Sequence, residues 1–224
     1  MATRALDGGL LDAVALTMRV CGSMQRALKK SDFHYELPPG LIAQAPLRER
    51  SASRLLVLDA AQRAWQDRTF RDLPQLLRAG DLLVFNDTRV LPARLFGRKP
   101  SGGAVEILLE RITGAHTALA QLGVSRKPRA DSHIELGDGT RVRVLRRDGA
   151  FFELAFESDE PLEKLLARIG RMPLPPYITR EAGAADAERY QTVYARMPGA
   201  VAAQTAGLHF AAPLLDALRA SGVE

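Results

Sequence analysis

Cysteine is nearly absent from this sequence, and long apolar runs are absent altogether. Cys21 is the only cysteine among the 224 residues, which excludes a disulfide within the chain and a zinc cluster built from several cysteines. No run approaches the roughly 18 apolar residues of a membrane span. We therefore expect a protein of the reducing cytoplasm that makes no use of a membrane.

The common catalytic signatures are also missing. The sequence contains no G-x-G-x-x-G, Walker loop, H-E-x-x-H or G-x-S-x-G, so the nucleotide-cradle, zinc-protease and serine-hydrolase patterns find no support. The four histidines, His34, His116, His133 and His209, lie far apart in the sequence and lack the spacing of metal ligands. No metal site is predicted.

The composition is that of an ordinary globular protein, with 46% hydrophobic and 25% charged residues. Lysine and arginine number 31 against 26 acidic residues, for a net charge of +5. This excess permits a nucleic-acid partner without requiring one. At about 150 residues per domain, the length corresponds to roughly one and a half domains.

Short apolar runs separated by turn residues occupy the middle of the chain. Strands are predicted at residues 54–59, 82–85, 90–96, 104–109, 117–122, 132–136, 141–145 and 150–156. Asp138-Gly139 and Asp148-Gly149 suit tight hairpin turns, because both residue types tolerate positive φ. Residues 65–157 are therefore predicted to form an inserted small β-barrel.

The hydrophobic pattern on either side of this insertion differs from the strand pattern within it. Helical spacing of apolar residues predicts helices around residues 162–169, 187–194 and 213–222. Residues 1–30 show little hydrophobic pattern, and we interpret them as an N-terminal extension that is partly helical or disordered. The sequence thus predicts a mixed segment, an all-β insertion and a helical return.

Two polar stretches in the strand region each admit two interpretations. Asn86-Asp87-Thr88-Arg89 follows an apolar run; it is either a polar hairpin turn or a site at a barrel rim, where Asp87 accepts a proton or binds a cation. Arg141 and Arg143 alternate with valines and so share one strand face. That face is either a solvated outer surface or a surface that holds phosphates.

A third stretch, residues 205–210, reads Thr-Ala-Gly-Leu-His-Phe just before a predicted helix. Its small residues permit a ligand to approach the backbone closely. His209 titrates near neutrality and is able to move protons. The alternative interpretation is a packed or capping histidine.

Seven stretches of the chain, taken together and in order, are specific for one protein family, although each is a weak signal alone. They read SDFHYELPPGLIAQ, SRLLVL, GDLLVFNDTRVLPARL, GGAVEILL, GRMPLPPYI, ERYQTVYA and GAVAAQTAGLHF. The set resembles the S-adenosylmethionine:tRNA ribosyltransferase-isomerases of queuosine biosynthesis, over roughly residues 31–224. The resemblance implies an α/β plus all-β fold, in which an incomplete α/β domain (residues 31–64 and 158–224) is interrupted by the inserted β-barrel domain (residues 65–157).

The resemblance also implies a reaction. The ribosyl moiety of S-adenosylmethionine is joined to 7-aminomethyl-7-deazaguanine, which already occupies the wobble position of tRNAs with GUN anticodons, those for Asp, Asn, His and Tyr. The ribosyl group rearranges to an epoxycyclopentanediol, giving epoxyqueuosine and releasing adenine and methionine. S-adenosylmethionine is a consumed substrate here, and neither a cofactor nor a metal is implied.

The implied chemistry needs acid/base groups, because a carbon beside the sulfonium must lose a proton and adenine leaves more easily when protonated. The matching motifs place His209, Thr205 and Asp87 as catalytic residues, with Asp87 as a carboxylate that orients the substrate. The expected substrate-binding residues are Arg89, Gly207, Tyr177 and Tyr190, the tyrosines by stacking on a base. The expected tRNA-binding residues are Arg141 and Arg143.

The sequence departs from the family pattern in places. Gln204 stands where the family usually has proline, and Ser101 where threonine is common. The family continues past the position of Glu224, so we expect a truncated chain with an open sheet edge and an exposed apolar helix face. Three hypotheses stay open: a partial or split enzyme of this family, an inactive truncated fragment retaining only a β-barrel RNA-binding module, and a barrel with an unrelated role, against which the order of the motifs argues.

Overall fold

The computed structural model describes residues 27–224, and the chain divides into two units after Leu41. The described part of the first unit contains two 3-10 turns, Lys30–Phe33 and Pro39–Leu41. The backbone N–H of Lys29 donates to the Asp32 carboxylate at 2.8 Å and closes the first turn. The N-terminal extension predicted for residues 1–30 lies outside the described residues except for its last four.

The second unit contains strands, α-helices and 3-10 turns. Its strands and helices are β1 (Arg54–Asp59), β2 (Ala64–Thr69), β3 (Thr88–Val90), β4 (Arg94–Arg98), β5 (Ala104–Gly114), β6 (Thr117–Gly123), β7 (His133–Leu136), β8 (Arg141–Asp148), β9 (Phe151–Glu157), α1 (Leu162–Ile169), α2 (Asp186–Arg189), β10 (Met197–Ala200) and α3 (Ala212–Ala220). The 3-10 turns are Arg50–Ala52, Phe70–Gln75 and Thr205–His209.

Strands β4 to β9 close into an antiparallel barrel in the order β4-β5-β6-β9-β8-β7. Successive side chains of a strand point to opposite faces, so β5 buries Val105, Ile107 and Leu109, each at most 2% exposed. Residues of α1, the helix that follows the barrel, belong to the same hydrophobic core. The closed barrel predicted from the turn-separated runs is confirmed.

The barrel begins later in the chain than the predicted insertion does. Its first strand starts at Arg94, whereas Trp65 lies in β2, which pairs with β1 as a separate antiparallel hairpin. The predicted strands from residue 104 onward are confirmed as β5 to β9. Gly139 and Gly149 take the positive φ angles, 88° and 59°, that the two predicted turns require.

The hairpin predicted at the Asn-Asp-Thr turn is wrong, although the Asn86 side-chain oxygen accepts from the Thr88 N–H at 2.9 Å, as a local cap does. Residues 82–85 are not part of a sheet, and β3 pairs in parallel with the distant β10. Leu82 and Val84 are 69% and 85% exposed. The only backbone bonding along this run in the described chain comes from Glu224, which accepts from Leu83 at 2.7 Å and donates to Asp81 at 2.8 Å. An apolar run becomes a strand only where a partner strand lies beside it.

The flanks of the barrel only partly resemble the expected α/β domain. In residues 27–224 the flanks contribute the β1–β2 hairpin and the two-stranded β3–β10 pair. The helices α1 and α3 are confirmed, and α2 is a single turn. The predicted exposed apolar face of the last helix is wrong, because Leu214 and Leu218 of α3 are buried against Phe70 and Leu73.

The barrel closes at a short seam between β4 and β7, and the close packing of Gly97 in this seam predicts that a larger residue there lowers stability. A Cβ at Gly97 would lie 2.5 Å from the Glu135 carbonyl oxygen, so Gly97→Ala should lower the free energy of unfolding by about 1–3 kcal/mol through overpacking. Gly137→Ala is the control, since a Cβ there meets nothing within 4 Å. Urea denaturation followed by circular dichroism measures both variants, and equal stability would contradict the seam packing.

Candidate active site

A cleft of about 520 Å³ opens in the second unit between four chain segments. The segments are residues 43–54, 174–180, 186–190 and 205–209. The charged side chains that line the cleft are Glu49, Arg50, Arg54, Arg180, Asp186 and Arg189. Arginines outnumber carboxylates in this lining, so the cleft favours anionic groups.

His209 enters the cleft from the 3-10 turn Thr205–His209, and its ring is tied to the opposite segment. Its Nδ1 lies 2.9 Å from Ser53 Oγ, and that hydroxyl lies 3.3 Å from the Arg50 carbonyl oxygen. A serine hydroxyl has one hydrogen. When Ser53 donates it to the carbonyl, Oγ accepts from Nδ1–H, and this assigns the lone pair of the imidazole to Nε2.

The surroundings of His209 favour its neutral form. Burial lowers the pKa of the imidazole from its ordinary value, a hydrogen bond to the Arg50 backbone opposes this, and the charge of the Arg50 guanidinium lowers the pKa further. The ring also packs against Phe70, with centroids 5.3 Å apart. With Nδ1 beside Ser53, Nε2 is the nitrogen of a neutral imidazole that is suited to accept a proton.

The wall formed by residues 174–190 is held by a paired arginine and aspartate. Arg180 donates from Nη1 and Nη2 to the two oxygens of Asp186 at 2.6 and 2.7 Å. The Gly183 N–H donates to the same carboxylate at 2.7 Å. These bonds from Arg180, and secondarily the one from Gly183, hold the pKa of Asp186 below its usual range against the opposing effect of burial. Bidentate geometry fixes both partners in orientation as well as in distance.

Gln44 fastens the first segment to this wall. Its side-chain oxygen accepts from the Thr179 N–H at 2.7 Å, and its Nε2 donates to the Tyr177 carbonyl at 3.0 Å. Arg180 Nε adds a bond to the Gln44 carbonyl at 2.7 Å. The segment that contains Ser53 is therefore held against the wall by hydrogen bonds from Gln44 to backbone groups and by the Arg180 side chain.

Four of the residues predicted as site residues line this cleft: Tyr177, Tyr190, Thr205 and His209. Tyr177 is 51% exposed, so its ring is open for stacking. Tyr190 is only 8% exposed and packs in a cluster with Val90 and Leu174. Burial raises the pKa of Tyr190, against a hydrogen bond with the Ala203 backbone, and little of its ring is free to meet a base.

Gly207 is the buried middle residue of the 3-10 turn that carries His209. A Cβ at this position would collide with the Tyr194 hydroxyl and would lie 2.9 Å from Thr192 Cγ2. Its role in the described structure is therefore close packing that places the histidine turn, since no larger residue fits.

The structure does not bring Asp87 and Arg89 into the lining of this cleft. The Asp87 carboxylate pairs with Arg196 at 2.7 Å, and its carbonyl accepts from the Arg196 N–H at 2.7 Å. Arg89 is exposed on β3. An aromatic contact joins the segment that precedes Asp87 to the one that carries His209, because the rings of Phe85 and Phe210 have centroids 5.0 Å apart.

Gln191 provides a second link between these regions. Its side-chain oxygen accepts from the Val90 N–H at 2.9 Å, and its Nε2 donates to the Val90 carbonyl at 2.7 Å. The amide thus takes the place of a strand partner for the end of β3. Gln191 follows Tyr190 in the chain, so the position of β3 is coupled to the cleft wall.

Arg141 and Arg143 lie on the outer face of β8, as the alternation predicted, with Val142 and Val144 inside the barrel. Arg141 lies 3.7 Å from Glu157, and Arg143 lies 3.9 Å from Asp131. Neither residue lines the cleft of His209.

Sequence reasoning missed several residues that shape the cleft: Gln44, Arg50, Ser53, Arg180 and Asp186. Gln44 and Ser53 stand within stretches that carry the family resemblance, but nothing in their spacing marks a chemical role. Ser53 is 156 residues from His209, and Gln44 is 135 residues from Thr179. No short motif spans such separations.

Within residues 27–224, no three His, Cys, Asp or Glu side chains converge as a metal site would require. In the same residues, no helix is long and apolar enough to cross a membrane.

The chain is similar in sequence, over most of its length, to the members of one protein family. Over residues 30–224 it matches the profile of a family described as "Queuosine biosynthesis protein". It is 62% identical over 197 residues to the S-adenosylmethionine:tRNA ribosyltransferase-isomerase of Xanthomonas euvesicatoria pv. vesicatoria. It is 61% and 60% identical to proteins of the same name from Stenotrophomonas maltophilia and Xylella fastidiosa.

These alignments cover 88% of this chain, 55% of the Xanthomonas relative and 57% of the other two. A crystal structure of an S-adenosylmethionine tRNA ribosyltransferase from Thermotoga maritima aligns at 29% identity with a TM-score of 0.37, over 86% of this chain and 55% of that one. The chain belongs to the queuosine biosynthesis protein family. It spans about half the length of the curated relatives it matches.

The Arg180–Asp186 pair predicts a pH dependence of stability. Because the folded-state pKa of Asp186 is lowered, its contribution is present above the unfolded-state pKa of about 3.9 and is lost as the pH falls through the folded-state pKa. The difference in unfolding free energy between wild type and Asp186→Asn should therefore be largest near neutral pH and shrink in acid.

Urea denaturation at a series of pH values measures this difference. Asp216→Asn is the control, since Asp216 pairs with Arg219 on the exposed surface of α3 and such pairs contribute about 0–1 kcal/mol. A difference for Asp186→Asn that stays constant from neutral to acid pH would contradict the assignment.

Proposed function

We propose that this chain acts as an S-adenosylmethionine:tRNA ribosyltransferase-isomerase. In this reaction the ribosyl moiety of S-adenosylmethionine is transferred to 7-aminomethyl-7-deazaguanine at the tRNA wobble position and isomerised. The products are epoxyqueuosine-tRNA, adenine and methionine. The observation that supports this most directly is the His209 imidazole, hydrogen-bonded to Ser53, in an arginine-lined cleft of a chain that belongs to the queuosine biosynthesis family.

His209 is the proposed acid/base group. Its Nε2 accepts the proton from the carbon beside the sulfonium, and the resulting imidazolium is a proton source for the departing adenine. Burial lowers the pKa of the imidazole, which keeps Nε2 available as a base at neutral pH. Thr205 lies at the start of the same turn and lines the cleft, where its hydroxyl is a candidate hydrogen-bond partner for the ribose.

Asp87 is proposed to orient the cationic substrate, with Arg89 beside it in the chain. The present partner of Asp87 is Arg196, whose side chain is 80% exposed. Exposed ion pairs contribute only about 0–1 kcal/mol, so a sulfonium can replace Arg196 at little cost. Gly207 places the histidine turn, and the exposed Tyr177 offers a ring for stacking, whereas Tyr190 is buried in the cleft wall.

The proposed architecture is an incomplete α/β domain, residues 31–64 and 158–224, split around the barrel insertion of residues 65–157. The parallel β3–β10 pair supports an interrupted domain, because β3 precedes the barrel strands β4 to β9 and β10 follows them. Since β3 itself lies within residues 65–157, the pair does not support the boundary at residue 65.

The proposed substrates are tRNAs with GUN anticodons and S-adenosylmethionine, which is consumed rather than held as a cofactor, and the proposed compartment is the cytoplasm. One alternative rests on a specific observation. The barrel has a closed hydrogen-bonding pattern and its own core, so an inactive fragment that retains only a β-barrel RNA-binding module is the second candidate. Adenine release separates the two.

His209→Gln is expected to lower the rate of adenine release from S-adenosylmethionine in the presence of substrate tRNA by about 10²–10⁴-fold, the usual contribution of a general base. In the wild type, the rate should fall in acid, at a pH below the ordinary range for histidine, because burial lowers the pKa of His209 and protonation removes the base. The assay uses this chain and, in parallel, the full-length Xanthomonas relative with the aligned substitution.

His116→Gln is the control for this assay, since His116 lies between β5 and β6 on the barrel. Full turnover by the relative with the substitution aligned to His209 would disprove the assigned role. Activity in the relative but none in this chain would favour the inactive-fragment alternative.

Ser53→Ala is expected to shift His209 from the Nδ1–H tautomer toward Nε2–H, because it removes the oxygen that accepts from Nδ1. Imidazole ¹⁵N chemical shifts report the tautomer directly and need no catalysis. Ser53→Thr retains a hydroxyl and should preserve the wild-type shifts. Unchanged shifts in Ser53→Ala would show that the serine does not set the tautomer.

A further inference from the structure

A second groove, of about 1020 Å³, lies at the seam where the barrel closes. The seam consists of only two paired positions, Gly97 with Leu136 and Arg98 with Glu135. We call this the seam groove; its lining includes Phe96, Arg98, Lys99, His133, Glu135 and Arg141. It shares no lining residue with the cleft of His209.

An aromatic ring and a cation stand side by side on the groove face of β4. Strand alternation buries Leu95 at 1% exposure and turns Phe96 and Arg98 outward. Phe96 is 46% exposed, and the Arg171 guanidinium lies over its ring, 5.3 Å from the centroid. A large exposed aromatic beside guanidinium groups offers a flat surface on which a base can stack.

Two cations that line the groove, Arg98 and Lys99 at the end of β4, carry no ion pair to a carboxylate among the described residues. Arg126, Lys127 and Arg129 in the β6–β7 loop carry none there either. Lys99 Nζ donates to the Arg126 carbonyl at 3.1 Å and joins the loop to the groove. The three loop cations are exposed.

The carboxylates of the groove are already engaged or faced by cations. Glu106 pairs with Arg94 at 3.0 Å. Glu157, beside the groove, is shared by His133 at 3.4 Å and Arg141 at 3.7 Å. Glu135 lies opposite Arg98 across the seam and opposite Arg141 across the next pairing. The remaining field is positive, which suits phosphates.

We propose that the seam groove binds an unpaired stretch of RNA. Arg98, Lys99 and the loop cations contact successive phosphates, and Phe96 stacks on one base. The combination of a backbone-tracking cationic groove with an exposed aromatic is typical of single-strand binding, whereas duplex RNA is recognised by shape and leaves no base face free to stack. The inference rests on the proposed function, because the RNA is the substrate that the cleft would modify.

Fluorescence anisotropy of a fluorescein-labelled single-stranded RNA oligonucleotide, measured with this chain over a series of salt concentrations, tests the proposal. Arg98→Gln combined with Lys99→Gln should weaken binding and reduce the magnitude of the slope of log K against log salt by about 0.7 for each lost phosphate contact, thus by about 1.4. Phe96→Ala should weaken binding roughly 5- to 150-fold and leave the slope unchanged.

Arg219→Gln is the matched control, since Arg219 is an exposed arginine on α3 outside the groove; it should bind like the wild type. Circular dichroism confirms that the variants are folded. Wild-type affinity and slope in the Arg98/Lys99 variant would overturn the proposed site. If unlabelled duplex RNA displaced the labelled oligonucleotide as well as unlabelled single-stranded RNA does, the proposed class of ligand would be overturned.

Because this assay contains no S-adenosylmethionine, its outcome is separate from that of the adenine-release assay. If RNA binding depends on the groove residues but no adenine is released, the proposed function is refuted and the RNA site in the groove is retained. If adenine is released but the groove substitutions do not change RNA binding, only the RNA site is refuted.

Discussion

The cleft depends on Arg50, which joins three parts of the chain that are distant in sequence. Its guanidinium donates to the Leu208 carbonyl at 3.0 Å and to the Glu188 carbonyl at 3.1 Å. Its own carbonyl accepts from Ser53, whose hydroxyl meets His209. Partial burial and the nearby charge of Arg189 lower the pKa of Arg50. One side chain thus holds both the turn that bears the histidine and the backbone group that orients it.

The barrel contributes rigidity to this arrangement. Its first strand is joined by an isolated β-bridge to the segment that leads into the cleft wall, because the Arg94 N–H donates to the Arg171 carbonyl at 3.1 Å and the Arg171 N–H donates to the Arg94 carbonyl at 2.8 Å. Arg94 Nη2 adds a bond to the Leu174 carbonyl at 3.0 Å. A closed barrel has no free edge along which it can deform, so residues attached to it keep their positions. The seam groove and the cleft wall are therefore both attached to strand β4 of the barrel.

Much of the barrel could be predicted, and little of the cleft. The alternation of Arg141, Val142, Arg143 and Val144 is a local pattern, and the structure places the valines inside. The run at residues 82–85 has the same apolar character but is not in a sheet, because a strand also needs a partner. In the cleft, His209 was identifiable by its chemistry, whereas Ser53 gains a role only from a contact across 156 residues.

By itself, the sequence determined the period-two strands of the barrel, its two Asp-Gly turns and the helix α1, because hydrophobic alternation and turn propensity act between near neighbours. It also carried the ordered motifs by which the family is recognised. Only the tertiary structure decided that β3 pairs with β10, that Asp87 meets Arg196 and that Tyr190 is buried. It likewise decided the hydrogen-bond partner of His209. Those outcomes depend on hydrogen bonds and packing between segments whose separation in the chain follows no repeat.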